Sequence, residues 1–234
     1  MIKTIMFDLD GTLLPMDTDR FIQEYMKSIT SKIAHIVPPE VFVKNLWEST
    51  EAMINNLDPN MTNKEVFDSE FFPRLNHSKE QLMGLFDEFY RTDFKKLKNF
   101  VIKSSYSREI LITAQSRGFE IIIATNPLFP LIAIKERLNW IEAGDINYHL
   151  ITSYENMHFC KPHIHYYQEI LDKISRKPEE CLMVGNDVEE DLAAHKLGIK
   201  TFLVEDYIIN RRDVDYYSDY KGKLKDLLSF VKEV

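Results

Sequence analysis

Residues 2–7 form a short apolar run rich in Ile and Phe that breaks at Asp8-Leu9-Asp10-Gly11, and the next strand-like run arrives only at residue 119. An apolar run of this length, bounded by a turn signal, predicts a buried strand. From about Asp19 to Phe100 the apolar spacing is helical instead, over 19–36, stopped by Pro38-Pro39, and then over 40–56, 63–71 and 78–97. After that, strand and helix patterns alternate. Helix 105–117 ends at Gly118, followed by strand 119–124, helix 129–139, strand 148–151, helix 162–174 and strand 181–184. Helix 188–197 closes at Gly198, before strand 200–204 and a last helix over 222–232. Alternation of this kind predicts a parallel sheet with helices on both faces. Because a helical block of about 80 residues separates the first strand from the others, that block reads as an inserted second domain lying over the strand ends.

The expected fold is therefore α/β, a doubly wound (Rossmann-like) parallel sheet with an inserted all-helical cap. Residues 1–16 and 101–234 make the core, and 17–100 the cap. Four of the predicted strands end in residues suited to chemistry. In Asp8-Leu9-Asp10-Gly11-Thr12 the alternation of an extended segment points Asp8 and Asp10 the same way, and their mutual repulsion would be relieved by a divalent cation. Gly11 permits a sharp turn. Thr125-Asn126 offers a hydroxyl and an amide to a phosphoryl oxygen, although the pair followed by Pro127 is equally a helix-start signal. Lys161-Pro162 puts a compact cation at a helix start. Gly185-Asn186-Asp187-Val188-Glu189-Glu190-Asp191 supplies carboxylates that would complete an oxygen-rich magnesium shell, or simply cap a helix at Asp187. Asp191, one turn beyond Asp187, would orient its neighbour or Lys161.

Taken together and in this order, the four segments resemble the motifs of the haloacid dehalogenase-like (HAD) hydrolase superfamily. The resemblance covers almost the whole chain and is to the helical-cap subgroup, phosphatase-type, similar to phosphoglycolate phosphatase-like members. It implies that Asp8 is the nucleophile, Asp10 the acid/base, Thr125 the hydroxyl holding the phosphoryl group with Asn126 and Gly11 beside it, and Lys161 the lysine that offsets charge. It also implies Mg2+ held by Asp8, the Asp10 backbone carbonyl and an acid of the fourth segment. Where many relatives have Gly-Asp-Ser, this chain has Gly185-Asn186-Asp187. Asp187 is the expected ligand on the ground that a carboxylate binds magnesium better than an amide, with Asn186 as the alternative and Asp191 behind it.

The implied activity is a magnesium-dependent phosphohydrolase that cleaves a small phosphorylated metabolite through an aspartyl-phosphate. A sugar phosphomutase on the same scaffold is the alternative, and a non-catalytic binding protein a more distant one. Dehalogenation is disfavoured, because relatives of that type generally lack an acid at the position of Asp10. Phosphoryl transfer fits the residues from below as well: it needs an in-line nucleophile, neutralised oxygens and an acid for the leaving group. With a formal charge of −8 the chain repels nucleic acid and anionic membranes, so an anionic substrate needs local positive charge. The amino terminus has no leader pattern and no window is apolar enough for a membrane span, so a cytoplasmic protein is expected, with no obligate protein partner evident. Cys160 and Cys181 have no disulfide or zinc spacing. Arg20, Lys27, Lys44 and Arg74 are candidate contacts for a second anionic group, and Trp47, Phe71 and Phe72 for a pocket, but an exposed surface role for the cations and packing for the aromatics are the expected readings. The tyrosine-rich stretch 206–220 has no assigned role.

Overall fold

The computed structural model describes residues 1–75 and 77–234. Six parallel strands form one sheet: β1 (Thr4–Phe7), β2 (Glu120–Ile123), β3 (Leu150–Ile151), β4 (Cys181–Gly185), β5 (Lys200–Val204) and β6 (Tyr220–Gly222). Their spatial order is β3-β2-β1-β4-β5-β6. The chain therefore winds outward on one side of β1 and then on the other, which opens a crevice at the carboxyl ends of β1 and β4. Register fixes both neighbours of β1, with Phe7 opposite Ile123 on one side and Val184 on the other.

Period-two alternation sends side chains to two cores. Ile5, Phe7, Ile121, Ile123, Leu182 and Val184 belong to one apolar cluster, and Met6, Ile122 and Met183 to another that includes Tyr166 and Tyr167. Strands covered on both faces read as continuous apolar runs, and β1 is buried along its whole length.

Between β1 and β2 the chain inserts a helical region containing α1 (Thr18–Ile33), α2 (Pro39–Asn55), α3 (Asn63–Phe71) and α4 (Lys79–Arg91). Each begins on a recognisable signal. Asp17 caps α1 by accepting from Arg20 N, Pro39 opens α2, Thr62 and Glu65 form a reciprocal capping box on α3, and Ser78 accepts from Gln81 N on α4. The buried residues Phe21, Tyr25, Ile29 and Ile33 of α1 recur every four positions, one stripe of a helix. The expected helix 78–97 is split: Thr92 leaves the helical region, its hydroxyl bonds back to Glu88 O at 2.7 Å, and a 3-10 turn over Phe94–Phe100 follows. The large apolar cluster on the Ile5 face runs on into Phe42, Phe71 and Phe89, so the insert shares a core with the sheet.

The remaining helices, α5 (Ser105–Ser116), α6 (Leu131–Trp140), α7 (Ile164–Ile174) and α8 (Leu224–Glu233), connect or follow strands. The expected helix 188–197 is reduced to a 3-10 turn over Leu192–Leu197. Its first residues are drawn into a loop by side-chain bonds described below. β6, which the polar pattern of 206–220 conceals, pairs with β5 at Phe202 and Tyr220. Among the described residues no helix is long and apolar enough to cross a membrane.

Candidate active site

Asp8 directly follows β1, and the Gly185–Asp191 turn begins at the end of β4, so adjacent parallel strands deliver both segments to the same crevice. Both oxygens of Asp8 are engaged. Lys161 Nζ donates to Oδ1 at 2.9 Å and Thr12 Oγ1 to Oδ2 at 2.9 Å. Lys161 Nζ also donates to Asp191 Oδ1 at 2.6 Å, so a fully buried ammonium lies between two carboxylates. Burial works against that charge, but Asp191 and Asp8 outweigh it and hold Lys161 well above its ordinary value. Lys161 arrives on the loop before α7, with a cis peptide to Pro162; α7 itself starts at Ile164, two residues later than the expected helix.

The Gly185–Asp191 turn is built from its own side chains. Asp187 Oδ1 accepts the backbone N–H groups of Glu189 and Glu190 at 2.8 and 2.9 Å, and Asp191 Oδ2 accepts Asp187 N at 2.9 Å. These bonds fold residues 187–191 into a loop where a helix was expected. Gly185 is required there, since a Cβ would sit 2.1 Å from Asp191 Cγ. At Gly11, φ is +84° and a Cβ would meet Asn186 Nδ2 at 2.5 Å, so this position needs glycine on both counts.

Asn186, the alternative ligand, faces Asp8: its Oδ1 lies 2.8 Å from Thr12 Oγ1, the same hydroxyl that bonds Asp8. Asp187 faces the other way. Its Oδ2 accepts from Arg211 Nη1 at 2.7 Å, and with Oδ1 already holding two N–H groups, both of its oxygens are committed. Two acceptors, Asp8 Oδ2 and Asn186 Oδ1, thus converge on a hydroxyl that has one hydrogen to give. Asp10 Oδ1 is buried with no hydrogen-bond partner. A surplus of oxygen acceptors over donors suits a hard divalent cation. Among the described residues no three His, Cys, Asp or Glu side chains cluster as a metal site, so such an ion would depend on a mixed set that includes an amide and a backbone oxygen.

Asp10 has a partner that its own segment does not foretell. Arg137, fully buried on α6, forms an ion pair with Asp10 Oδ2, and its guanidinium lies 4.6 Å from the centre of the Phe129 ring. Burial raises the Asp10 carboxyl above its ordinary value, with Arg137 acting in the opposite direction. A sequence signal for Arg137 does exist: it falls on the buried stripe of α6 with Ala133, Ile134 and Leu138, where an arginine needs a reason.

Thr125 is buried, and its carbonyl is fixed by Thr152 Oγ1 at 2.7 Å and Tyr166 OH at 2.9 Å. The Asn126 side chain ties the segments together, accepting Lys161 N at 3.2 Å and donating to Glu190 Oε2 at 3.1 Å. Burial pushes Glu190 up to about 7, against the pull of Lys161. Thr12, Arg137 and the 206–220 stretch are the parts of the site that sequence reasoning missed. From that stretch Tyr207 O accepts the Asn186 amide, Ile209 exchanges backbone bonds with Asn186 and Val188 at 2.9 Å each, and Arg211 and Arg212 pair with Asp187 and Glu189.

The haloacid dehalogenase-like hydrolase family matches residues 2–198. A glyceraldehyde 3-phosphate phosphatase of Methanothermobacter thermautotrophicus is 30% identical over 213 residues, which is 87% of this chain and 86% of that protein. Pyrophosphatase PpaX of Bacillus mycoides is 22% identical over 235 residues, covering 100% of this chain and 98% of the relative. Among solved structures, a HAD phosphatase from Thermococcus onnurineus matches with a TM-score of 0.60 at 17% identity over 98% of each chain, a likeness of fold.

Proposed function

Because the chain belongs to the haloacid dehalogenase-like hydrolase family, we propose that it hydrolyses a small phosphate monoester through a covalent phosphate on Asp8. The observation that carries this reading is the Asp8 carboxylate at the end of a central strand, held by Lys161 and Thr12, with a second carboxyl two residues on. In the first step an Asp8 oxygen attacks phosphorus in line, the ester P–O bond breaks, and the leaving oxygen takes the proton of the Asp10 carboxyl. The upward shift of Asp10 by burial favours its holding that proton beforehand. In the second step Asp10, now a carboxylate, takes a proton from water as the water attacks phosphorus, releasing inorganic phosphate and regenerating Asp8. Lys161 offsets the negative charge gathered at Asp8, and Thr125 offers its hydroxyl to the phosphoryl group.

Asp8, the Asp10 backbone carbonyl and the Asn186 amide oxygen would hold a magnesium ion, whose charge would be supplied against that of the phosphoryl oxygens. Asn186 takes this role in preference to Asp187, because both Asp187 oxygens are already bound. The helical segment 17–100 would serve as the cap over the reacting group.

Phosphate release from 4-nitrophenyl phosphate tests the assignment. Asp8→Asn should abolish release with the circular dichroism spectrum unchanged, and chelation by EDTA should stop turnover until magnesium is returned. Undiminished activity of the Asp8→Asn protein would refute the nucleophile, and full activity in EDTA would refute the metal.

A further inference from the structure

Between the insert and the loops after β2 and β3 lies a partly open cavity of about 330 Å³, a size typical of small-molecule sites. Its walls are mostly apolar and aromatic, with Tyr25, Trp47, Phe67, Phe86, Tyr90 and Phe129 around it. Leu128, Phe129 and Pro130, which line its sheet side, belong to the loop that begins at Thr125. Phe129 links cavity and chemistry: its ring borders the cavity and stacks under Arg137, whose guanidinium holds Asp10, the proposed acid for the leaving group. The sheet-side lining from the loops after β2 (Leu128–Pro130) and β3 (Tyr154, Glu155) puts this cavity at the same carboxyl edge of the sheet as Asp8 and Asp10.

The charges around the cavity decide what that part can be. Among the described lining residues Lys64 is the one cation, and it is committed to Asp68 Oδ2 at 2.5 Å, an oxygen that Lys79 also reaches at 3.0 Å. Asp68, Asp87 and Glu155 bring three carboxylates to the same lining. None of the insert's other candidate cations lines the cavity: Lys27 pairs with Glu24, Lys44 with Glu48, Arg74 with Glu48 and Glu70, and Arg20 lies over the Phe100 ring. Of the lining hydroxyls, Thr50 donates to Leu46 O at 2.8 Å, and Tyr25 and Tyr90 bond each other at 2.9 Å, which uses one of their two hydrogens. A second phosphate or a carboxylate in this cavity would meet surplus negative charge and no available cation, whereas hydrocarbon would bury against rings and aliphatic chains.

We propose that the substrate is a phosphate monoester whose alcohol part is apolar, of about the size of one ring, and free of negative charge, with that part seated in this cavity. The proposal rests on the reading of Asp8 as a phosphatase nucleophile. It separates this chain from what the names of its relatives would suggest, since pyrophosphate and short anionic or strongly hydrated phosphates have nothing to offer these walls.

Two aryl esters that differ by one carboxylate group test it, phenyl phosphate and 4-carboxyphenyl phosphate, with pyrophosphate and phosphoglycolate as small anionic comparators. For the wild-type protein, kcat/KM should be at least about 100-fold higher for phenyl phosphate than for its carboxylated analogue or either comparator. Met83→Lys, which adds a cation to the cavity wall, should narrow the gap between the two aryl esters by about 10-fold or more. Equal or faster turnover of the anionic esters, lost in Asp8→Asn, overturns the substrate class and leaves the phosphatase reading intact. Failure of every ester to release phosphate overturns the phosphatase reading and this proposal with it. An unchanged ratio in a folded Met83→Lys protein also overturns the placement of the alcohol part in this cavity.

Discussion

Replacing Lys161 with methionine keeps most of the side-chain volume and removes the ammonium that Asp8 and Asp191 share at 2.9 and 2.6 Å. Deleting one partner of a buried ion pair typically costs ~3–5 kcal/mol, because the remaining charge stays buried without compensation. Here two carboxylates are left facing each other, so the upper part of that range is expected, and for a chain of this length it lowers the thermal midpoint by about 10 °C. The loss depends on pH with a definite sign. Burial already raises Asp191, and Lys161 is the group that holds it down, so in the variant its folded-state value moves further up. A carboxyl raised on folding contributes stability at low pH that is lost as pH rises from its ordinary range through the folded value. Asp191 stands at about 8 with the ammonium in place, so both proteins lose stability alike up to that pH, and the deficit of Lys161→Met relative to wild type should widen only above it, as read by urea unfolding at pH 7 and pH 9. Adding Asp191→Asn removes one of the stranded charges and should recover about 1–3 kcal/mol at pH 9. A deficit that is independent of pH, or a double variant no more stable than the single one, would show that the ammonium is not what keeps these carboxylates apart.

Arg137→Met frees Asp10 from its partner, and kcat should fall about 10–100-fold with little change in KM, with Arg137→Lys recovering part of the loss; an unchanged kcat would dismiss Arg137 as a positioning residue. Gly185→Ala drives a Cβ into Asp191 and should cost ~2–3 kcal/mol, seen as a thermal midpoint lower by about 5–10 °C, and a midpoint within 1–2 °C of wild type would mean the turn has slack that the packing does not suggest. Glu190 is raised from its ordinary 4.5 to about 7, so its contribution to stability declines as pH climbs through that interval. Glu190→Gln should accordingly gain about 1–3 kcal/mol over wild type between pH 4 and pH 8, and a difference that stays flat with pH would remove the buried acid from the account.

The sheet was legible because buried parallel strands leave uninterrupted apolar runs, and the first segment was legible because Asp8 and Asp10 stand directly behind such a run. The exceptions share a physical cause: side chains that bond across the chain override the local pattern. Helix 188–197 looks regular by spacing, yet Asp187 and Asp191 spend their carboxylates on backbone N–H groups and on Lys161, and only a 3-10 turn survives. Asp187 reads as the better ligand by charge, but Arg211, 24 positions away, determines which way it faces. Arg137 is invisible to motif reading because its partner is 127 positions upstream. β6 is a three-residue edge strand with polar neighbours, too short to leave a pattern.

The strap formed by Tyr207, Ile209, Arg211 and Arg212 has a bearing on turnover. Backbone bonds from Ile209 to Asn186 O and Val188 N clamp both sides of Asp187, so the Gly185–Asp191 turn has its shape before any ligand arrives. Rigidity set during folding is not subtracted from each binding event, which leaves more of the encounter energy for catalysis. Loosening the strap should accordingly slow the reaction through entropy, without touching a single reacting atom.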